Sequence, residues 1–169
     1  MTDTPPLLVV MGVSGSGKTT VGSLLAERLD LPFVDADDLH PAANVAKMAA
    51  GHPLDDDDRR PWLAKVGATL RGAEGTGLVV ACSALKRTYR EQILAAEPNA
   101  RFVYLEVSKG LLDSRVRGRH DHFMPVQLLG SQLDTLEPLG ADEPGVTIHL
   151  TPDATPEQLV SEAIQSIRR

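Results

Sequence analysis

Gly12-Val13-Ser14-Gly15-Ser16-Gly17-Lys18-Thr19 carries the signal from which the rest of the chain is read. The spacing is G-x-x-x-x-G-K-[ST], a loop whose glycines let the backbone curl until successive N–H groups point inward at phosphate oxygens. A helix starting directly behind such a loop adds the positive end of its dipole. Lys18 can then reach the β- and γ-phosphates of a nucleotide, and the Thr19 hydroxyl can ligate Mg²⁺. The flanks supply the required context. Leu7-Leu8-Val9-Val10 reads as a buried parallel strand, and Val21, Leu24, Leu25 and Leu29 recur on one helical face. Gly12 to Thr19, with Thr20 just inside the helix, is therefore expected to hold the phosphates of a nucleotide.

Alternation continues along the chain. Strands are expected at Leu7–Met11, Pro32–Asp35, Leu78–Cys82, Phe102–Val107 and Thr147–Leu150, each short, apolar and followed by a helical pattern. That order predicts an α/β fold: a five-stranded parallel sheet with helices on both faces, the three-layer architecture of P-loop NTPases. Two helices, His40–Gly51 with Pro41 at its first position and Pro61–Arg71 with Trp62, Val66 and Leu70 on one face, form a substrate-binding insertion over about 38–72. A second pair, Leu111–Arg119 and Pro125–Leu136, follows the fourth strand, and Glu157–Arg169 closes the chain. With 169 residues and no linker or repeat, residues 1–169 read as one domain.

Composition narrows the function. A net charge of −6 and 4% aromatic residues argue against nucleic acid as a partner, which demands basic faces and stacking platforms. Cys82 is the single cysteine, so no disulfide framework exists, and its own reading is a small buried filler. No apolar run reaches membrane-spanning length and no signal pattern opens the chain, so a cytoplasmic location with no membrane partner is expected.

Beyond the loop, Asp35-Ala36-Asp37 stands at the carboxyl end of the second strand, where ligands sit in doubly wound sheets. Alternate residues share a face, so one carboxylate can serve Mg²⁺ while the other accepts a proton from a substrate hydroxyl. Asp37 and Asp38 could equally cap the next helix. Lys109, Arg115, Arg117, Arg119, His120 and His122 make a basic stretch. Arg115 and Arg119 lie four apart on one face and suit an anion between them, whereas Arg117 points elsewhere. Cys82-Ser83-Ala84-Leu85-Lys86, then Arg87, Tyr89 and Arg90, place a hydroxyl and cations at the end of the third strand, suited to an anionic, polyhydroxylated substrate. Asp55 to Asp58 read as solvated loop and cap, Trp62 as packing, and Arg59 or Arg60 as a bidentate clamp for a carboxylate. His40 and His122 stand open between packing and function.

Together these segments resemble the small gluconate kinases, P-loop relatives of shikimate kinase. The likeness rests on Gly12–Thr19, on Asp35-Ala36-Asp37-Asp38-Leu39-His40-Pro41 with Asn44, on Asp58-Arg59-Arg60-Pro61-Trp62-Leu63, and on Cys82-Ser83-Ala84-Leu85-Lys86 with Tyr89-Arg90. It continues through Arg115, Arg119, His122-Phe123, Ser131-Gln132 and Leu136-Glu137-Pro138. Asp55 departs from a common threonine, and Gly130 and Gly140 replace larger polar residues. The resemblance implies ATP-dependent phosphorylation of D-gluconate at its 6-hydroxyl, with a product destined for the pentose phosphate pathway. It implies Lys18, Asp37, Arg115 and Arg119 as catalytic residues, and Thr19 and Asp35 toward Mg²⁺. Asp37, His40, Arg59, Arg60, Ser83, Lys86, Arg90 and His122 would meet the substrate, about 109–124 would form a lid, and the chain would be a homodimer. Rival readings are a kinase for another small hydroxy acid such as shikimate or for a nucleoside monophosphate, and a nucleotide-gated switch. The switch lacks an Asn-Lys-x-Asp guanine reader, since the only asparagines are Asn44 and Asn99.

Overall fold

Five apolar runs lie side by side in the computed structural model, which describes residues 4–117 and 132–168. They are β1 (Leu7–Met11), β2 (Phe33–Asp35), β3 (Leu78–Ala81), β4 (Arg101–Glu106) and β5 (Gly145–His149). All pair in parallel in the order β2-β3-β1-β4-β5, with Leu7 beside Leu78, Leu8 beside Arg101 and Phe33 beside Val79. The loop that follows β1 therefore leaves the middle of the sheet, flanked by the ends of β3 and β4.

Successive residues of a strand face opposite sides, and the core divides accordingly. Leu7, Val9, Met11, Val80, Phe102 and Tyr104 pack under α3 (Asp56–Arg71) and α4 (Arg87–Ala96) through Trp62, Leu63, Val66, Leu70, Tyr89 and Ile93. Leu8, Val10, Val79, Val103, Leu105 and Ile148 pack under α1 (Lys18–Leu29) and the last helix, α6 (Pro156–Ile167), through Val21, Leu25, Leu159, Val160 and Ala163. Helices cover both faces, as the alternating pattern requires. Among the described residues no helix is long and apolar enough to cross a membrane.

Several boundaries move from their expected places. β5 starts at Gly145, not Thr147, because glycine at φ 150° lets the chain run against Phe102, whose carbonyl oxygen lies 2.1 Å from where a Cβ would stand. The helix expected at His40–Gly51 is a 3₁₀ turn (Ala36–Leu39) followed by α2 (Ala42–Ala49), with Pro41 as its N-cap rather than its first residue. α3 starts at Asp56, five residues before Pro61. Asp55 accepts the Asp58 N–H at 2.7 Å and Asp58 accepts the Asp55 N–H at 2.9 Å, a reciprocal cap that satisfies two orphan donors. Aspartate in place of threonine at position 55 thus keeps a capping oxygen. The acidic run is the first turn of a helix, where its charge suits the dipole. α6 has the same device, Thr155 with Gln158. α5 spans Lys109–Arg117, and 132–135 form a helical turn.

Candidate active site

Gly17, at φ 93°, ends the loop and serves as the N-cap of α1, a left-handed conformation that glycine adopts without strain. The loop is braced from three sides. Ser16 N–H donates to the Val13 carbonyl at 3.1 Å, Gly12 N–H to the Ser83 carbonyl at 3.4 Å, and Ser14 N–H to Gln132 Oε1 at 2.7 Å. Lys18 is buried at the start of α1, while Thr19 and Thr20 are exposed.

Asp35 ends β2 on the same edge of the sheet. Its Oδ2 accepts from Thr19 Oγ1 at 3.2 Å, and its Oδ1 accepts the Asp37 N–H at 3.0 Å. Asp35 is thus the cap of the 3₁₀ turn, which settles the alternative in which Asp37 was the cap and leaves the Asp37 side chain free for other work. Burial pushes the Asp37 carboxyl up; Lys18 pulls against that, and Asp35 and Asp38 add to it. Lys18 and the Asp37 carboxyl are therefore near enough for their charges to act on one another. A carboxyl lifted in this way is a better proton acceptor than a solvated one.

The insertion builds the opposite wall. Trp62 Nε1 donates to the Ala36 carbonyl at 2.7 Å, fixing α3 to the turn that carries Asp37. His40 stacks on the Trp62 ring with centroids 4.0 Å apart and planes 16° apart. Burial, with help from Arg59, drops the His40 imidazole to about 4, so it is neutral at physiological pH. Asn44 Nδ2 lies 3.2 Å from His40 Nδ1 and donates to the Asp58 carbonyl at 2.8 Å. Nδ1 must then accept, which leaves the proton on Nε2 as a donor. His40 is both packed and chemically available.

Between α3 and α4 opens a cleft of about 420 Å³ lined by Leu54, Asp55, Asp56, Asp57, Arg59, Lys86 and Thr135. Arg59 and Lys86 flank the Tyr89 ring at 5.3 and 5.6 Å from its centroid. Arg59 Nη1 donates to the Leu54 carbonyl and, at 3.1 Å, to Tyr89 Oη. Arg59 is accordingly the arginine of the pair that faces the cleft. Arg60, also expected at the substrate, is corrected: it does not line the cleft, and its side chain, 69% exposed, pairs with Asp57 at 3.1 Å.

Arg90 is likewise corrected. Its side chain is only 1% exposed and its guanidinium is consumed internally, by Glu143 at 2.8 and 3.0 Å and by the Ala84 carbonyl at 2.8 Å. A helical arginine next to the Ser-Ala-Leu-Lys segment reads as a substrate cation, but its partner lies 53 residues away, beyond the reach of local pattern. Ser83 is half-buried, and its carbonyl braces the loop. Cys82 is buried and its thiol is pushed up to about 12 by desolvation, which fits the filler reading. Arg119 and His122 lie outside the described residues, as does the Arg115 side chain, although the Arg115 backbone belongs to α5.

Sequence reasoning missed Tyr89, Asp56 and Gln132 as site residues. It also missed an apolar cleft of about 350 Å³ beside the loop, where Gly15, Ser16, Gly17, Thr20 and Val21 meet Ala154, Pro156 and Leu159. Those last three come from the far end of the chain, and only the β5–α6 crossover brings them there.

A phosphate loop, an opposed carboxylate and a cationic cleft on a five-stranded parallel sheet define a P-loop kinase-type protein. The AAA domain family matches residues 7–139. A gluconokinase of Gluconobacter oxydans is 50% identical over 160 residues, covering 92% of this chain and 90% of that one. The crystal structure of a gluconokinase from Sinorhizobium meliloti superimposes with a TM-score of 0.88 at 43% identity, covering 98% and 93% of the two chains. A shikimate kinase from Acinetobacter baumannii, at 21% identity and a TM-score of 0.62, shares the fold. The chain belongs to the gluconokinase family, within the P-loop group that the AAA domain match marks.

Proposed function

We propose that this chain transfers the γ-phosphoryl group of ATP to the 6-hydroxyl of D-gluconate, giving ADP and 6-phospho-D-gluconate. The observation that carries the reading is the meeting of the phosphate-loop helix with the end of β2, where Thr19 Oγ1 donates to Asp35 Oδ2 at 3.2 Å and Asp35 Oδ1 accepts the Asp37 N–H, in a chain half identical to a gluconokinase. Phosphoryl transfer asks a protein mainly for positioning and charge stabilisation. Gly12 through Thr20 cradle the triphosphate, and the apolar cleft at Ala154, Pro156 and Leu159 takes the base. Asp37 accepts the hydroxyl proton as that oxygen attacks phosphorus and the bond to the β-phosphate oxygen breaks. Arg59 and Lys86 face the carboxylate end of the sugar acid, and His40 Nε2–H and Ser83 supply hydrogen bonds to its hydroxyls.

Thr19 and Asp35 fit a magnesium ion, since a hydroxyl and a carboxylate already meet at 3.2 Å and hard cations take oxygen ligands. When bound, the ion offsets negative charge on the β- and γ-phosphates. Arg115 and Arg119 belong to the closing lid of about 109–124, with His122 beside the sugar. The reading extends to a homodimer in the cytoplasm whose product feeds the pentose phosphate pathway.

The test pairs a substrate panel with one variant. Coupled ADP release should favour gluconate over shikimate and over nucleoside monophosphates; the opposite preference overturns the substrate. Asp37→Asn should keep ATP binding and lose about 10²–10⁴-fold in kcat. Unchanged kcat removes Asp37 from the chemistry.

A further inference from the structure

The cationic cleft already holds an anion of its own. Lys86 Nζ lies 3.1 and 3.4 Å from the two oxygens of Asp56, and Tyr89 Oη donates to the same carboxylate. Tyr89 is in turn held by Arg59, and both cations lie over its ring. Asp56 is not required as the helix cap, which Asp55 and Asp58 provide between them. Its side chain is 59% exposed and reaches in from the rim. Arg59 spends only Nη1, so its other N–H groups have no partner among the described residues. A lysine and a phenol thus hold one carboxylate that nothing buries and no cap needs, with Arg59 bonded to the same phenol.

We infer that Asp56 is an internal occupant of the carboxylate subsite: it holds Lys86 and Tyr89 in the free chain, and the carboxylate of an entering sugar acid displaces it. The inference rests on the reading that Arg59 and Lys86 receive the acid end of the substrate. Its consequence for specificity is direct. A neutral polyol has no charge with which to evict Asp56, whereas a sugar acid exchanges one carboxylate for another and loses little. The cations are never left bare, so small adventitious anions gain less from the cleft than they would from an open pair. Because the displaced pair is solvent-exposed, the exchange is worth only the strength of an exposed ion pair. A variant without the Asp56 charge should therefore bind the acid about 1.5- to 5-fold more tightly.

The experiment measures Kd for D-gluconate by calorimetry and steady-state constants with Asp56→Asn and Asp56→Ser. Glu91→Gln, on the exposed outer side of α4, controls for loss of one negative charge. Expected are a lower KM and Kd for gluconate in both Asp56 variants, and no change for the neutral analogue D-glucitol or in the Glu91 control. A gluconate KM that stays put or rises in the Asp56 variants overturns the inference, because Asp56 would then be organising the cations for the substrate instead of competing with it. Equal gains for glucitol, or for Glu91→Gln, overturn it too. A wild-type chain that turns over no gluconate would be a different failure, that of the substrate reading itself.

Discussion

Replacing Arg90 with methionine separates a core ion pair from a substrate contact. Arg90 and Glu143 are 1% and 5% exposed, and the guanidinium makes two bonds to the carboxylate and a third to the Ala84 carbonyl. Methionine fills much of the volume but supplies no donor. Among the described residues Glu143 then keeps the Gly140 N–H, at 2.7 Å, as its hydrogen-bond donor. Burial pushes the Glu143 carboxyl up, and at present Arg90, with Gly140 and Arg87, more than offsets that and holds it below the ordinary range. Stranding a buried carboxylate costs about 3–5 kcal/mol. For a domain of this size each kcal/mol moves the midpoint about 2–4 °C, so Tm should fall by roughly 6–20 °C. Adding Glu143→Gln removes the stranded charge while keeping an acceptor for Gly140, and should recover most of the loss, since deleting both members of a buried pair is often near neutral. Urea and thermal melts followed by circular dichroism give the stability. Steady-state kinetics well below the midpoint should show gluconate KM and kcat near wild type. An unshifted melt with a raised gluconate KM would refute the structural role and restore Arg90 to the substrate.

Lys18→Ala should weaken ATP binding without unfolding the chain, because on the proposed reading the ammonium supplies charge to the phosphates and not packing; a calorimetric Kd equal to wild type would remove Lys18 from the site. His40 has a folded value near 4 against an ordinary 6.5, so the unfolded chain takes up a proton first as pH falls. The stability it contributes is present above about 6.5 and lost as pH drops toward 4; urea midpoints of His40→Gln should lack that part of the decline, and parallel pH curves for the two proteins would contradict the assignment.

What the sequence made legible followed from local rules. The P-loop spacing, the strand-helix alternation and the Asp-x-Asp at a strand end are short-range patterns, and each predicted its place in the sheet. What it hid came from long range. Arg90 and Glu143 are 53 residues apart, and Arg90 reads from sequence like any cation beside a site. Choosing between Arg59 and Arg60 needed the start of α3, which a proline at position 61 had pushed five residues too far along. Once the helix begins at Asp56, the 100° between neighbours turns Arg59 to the cleft and Arg60 to solvent. The cap expected in the run Asp55 to Asp58 is present, and the same shift adds what the sequence did not show, an ion-pair partner for Lys47 in Asp58 and one for Lys86 in Asp56.

The carboxyl of Asp37 is where stability and reaction pull in opposite directions. Burial raises it and Lys18 restrains the rise. A group held above its ordinary value stabilises the fold only at pH below the unfolded range, and its ionised form costs stability as pH rises through the folded value. At neutral pH Asp37→Asn should therefore melt at a higher temperature than wild type while turning over far more slowly, and the stability gap should close near pH 3. Nucleotide sharpens the effect. On the proposed reading magnesium-bound ATP, which still carries net negative charge, would engage Lys18, the cation that now restrains Asp37. The acid limb of kcat, which reports the loaded enzyme, should accordingly lie at higher pH than the limb of kcat/KM for gluconate measured at low ATP, which reports the free enzyme. The rate falls on the acid side of each limb because a protonated carboxyl accepts nothing. Coincident limbs would mean that Lys18 and Asp37 do not share one electrostatic crevice, and a less stable Asp37→Asn would mean that the carboxyl is held by partners that favour its charge.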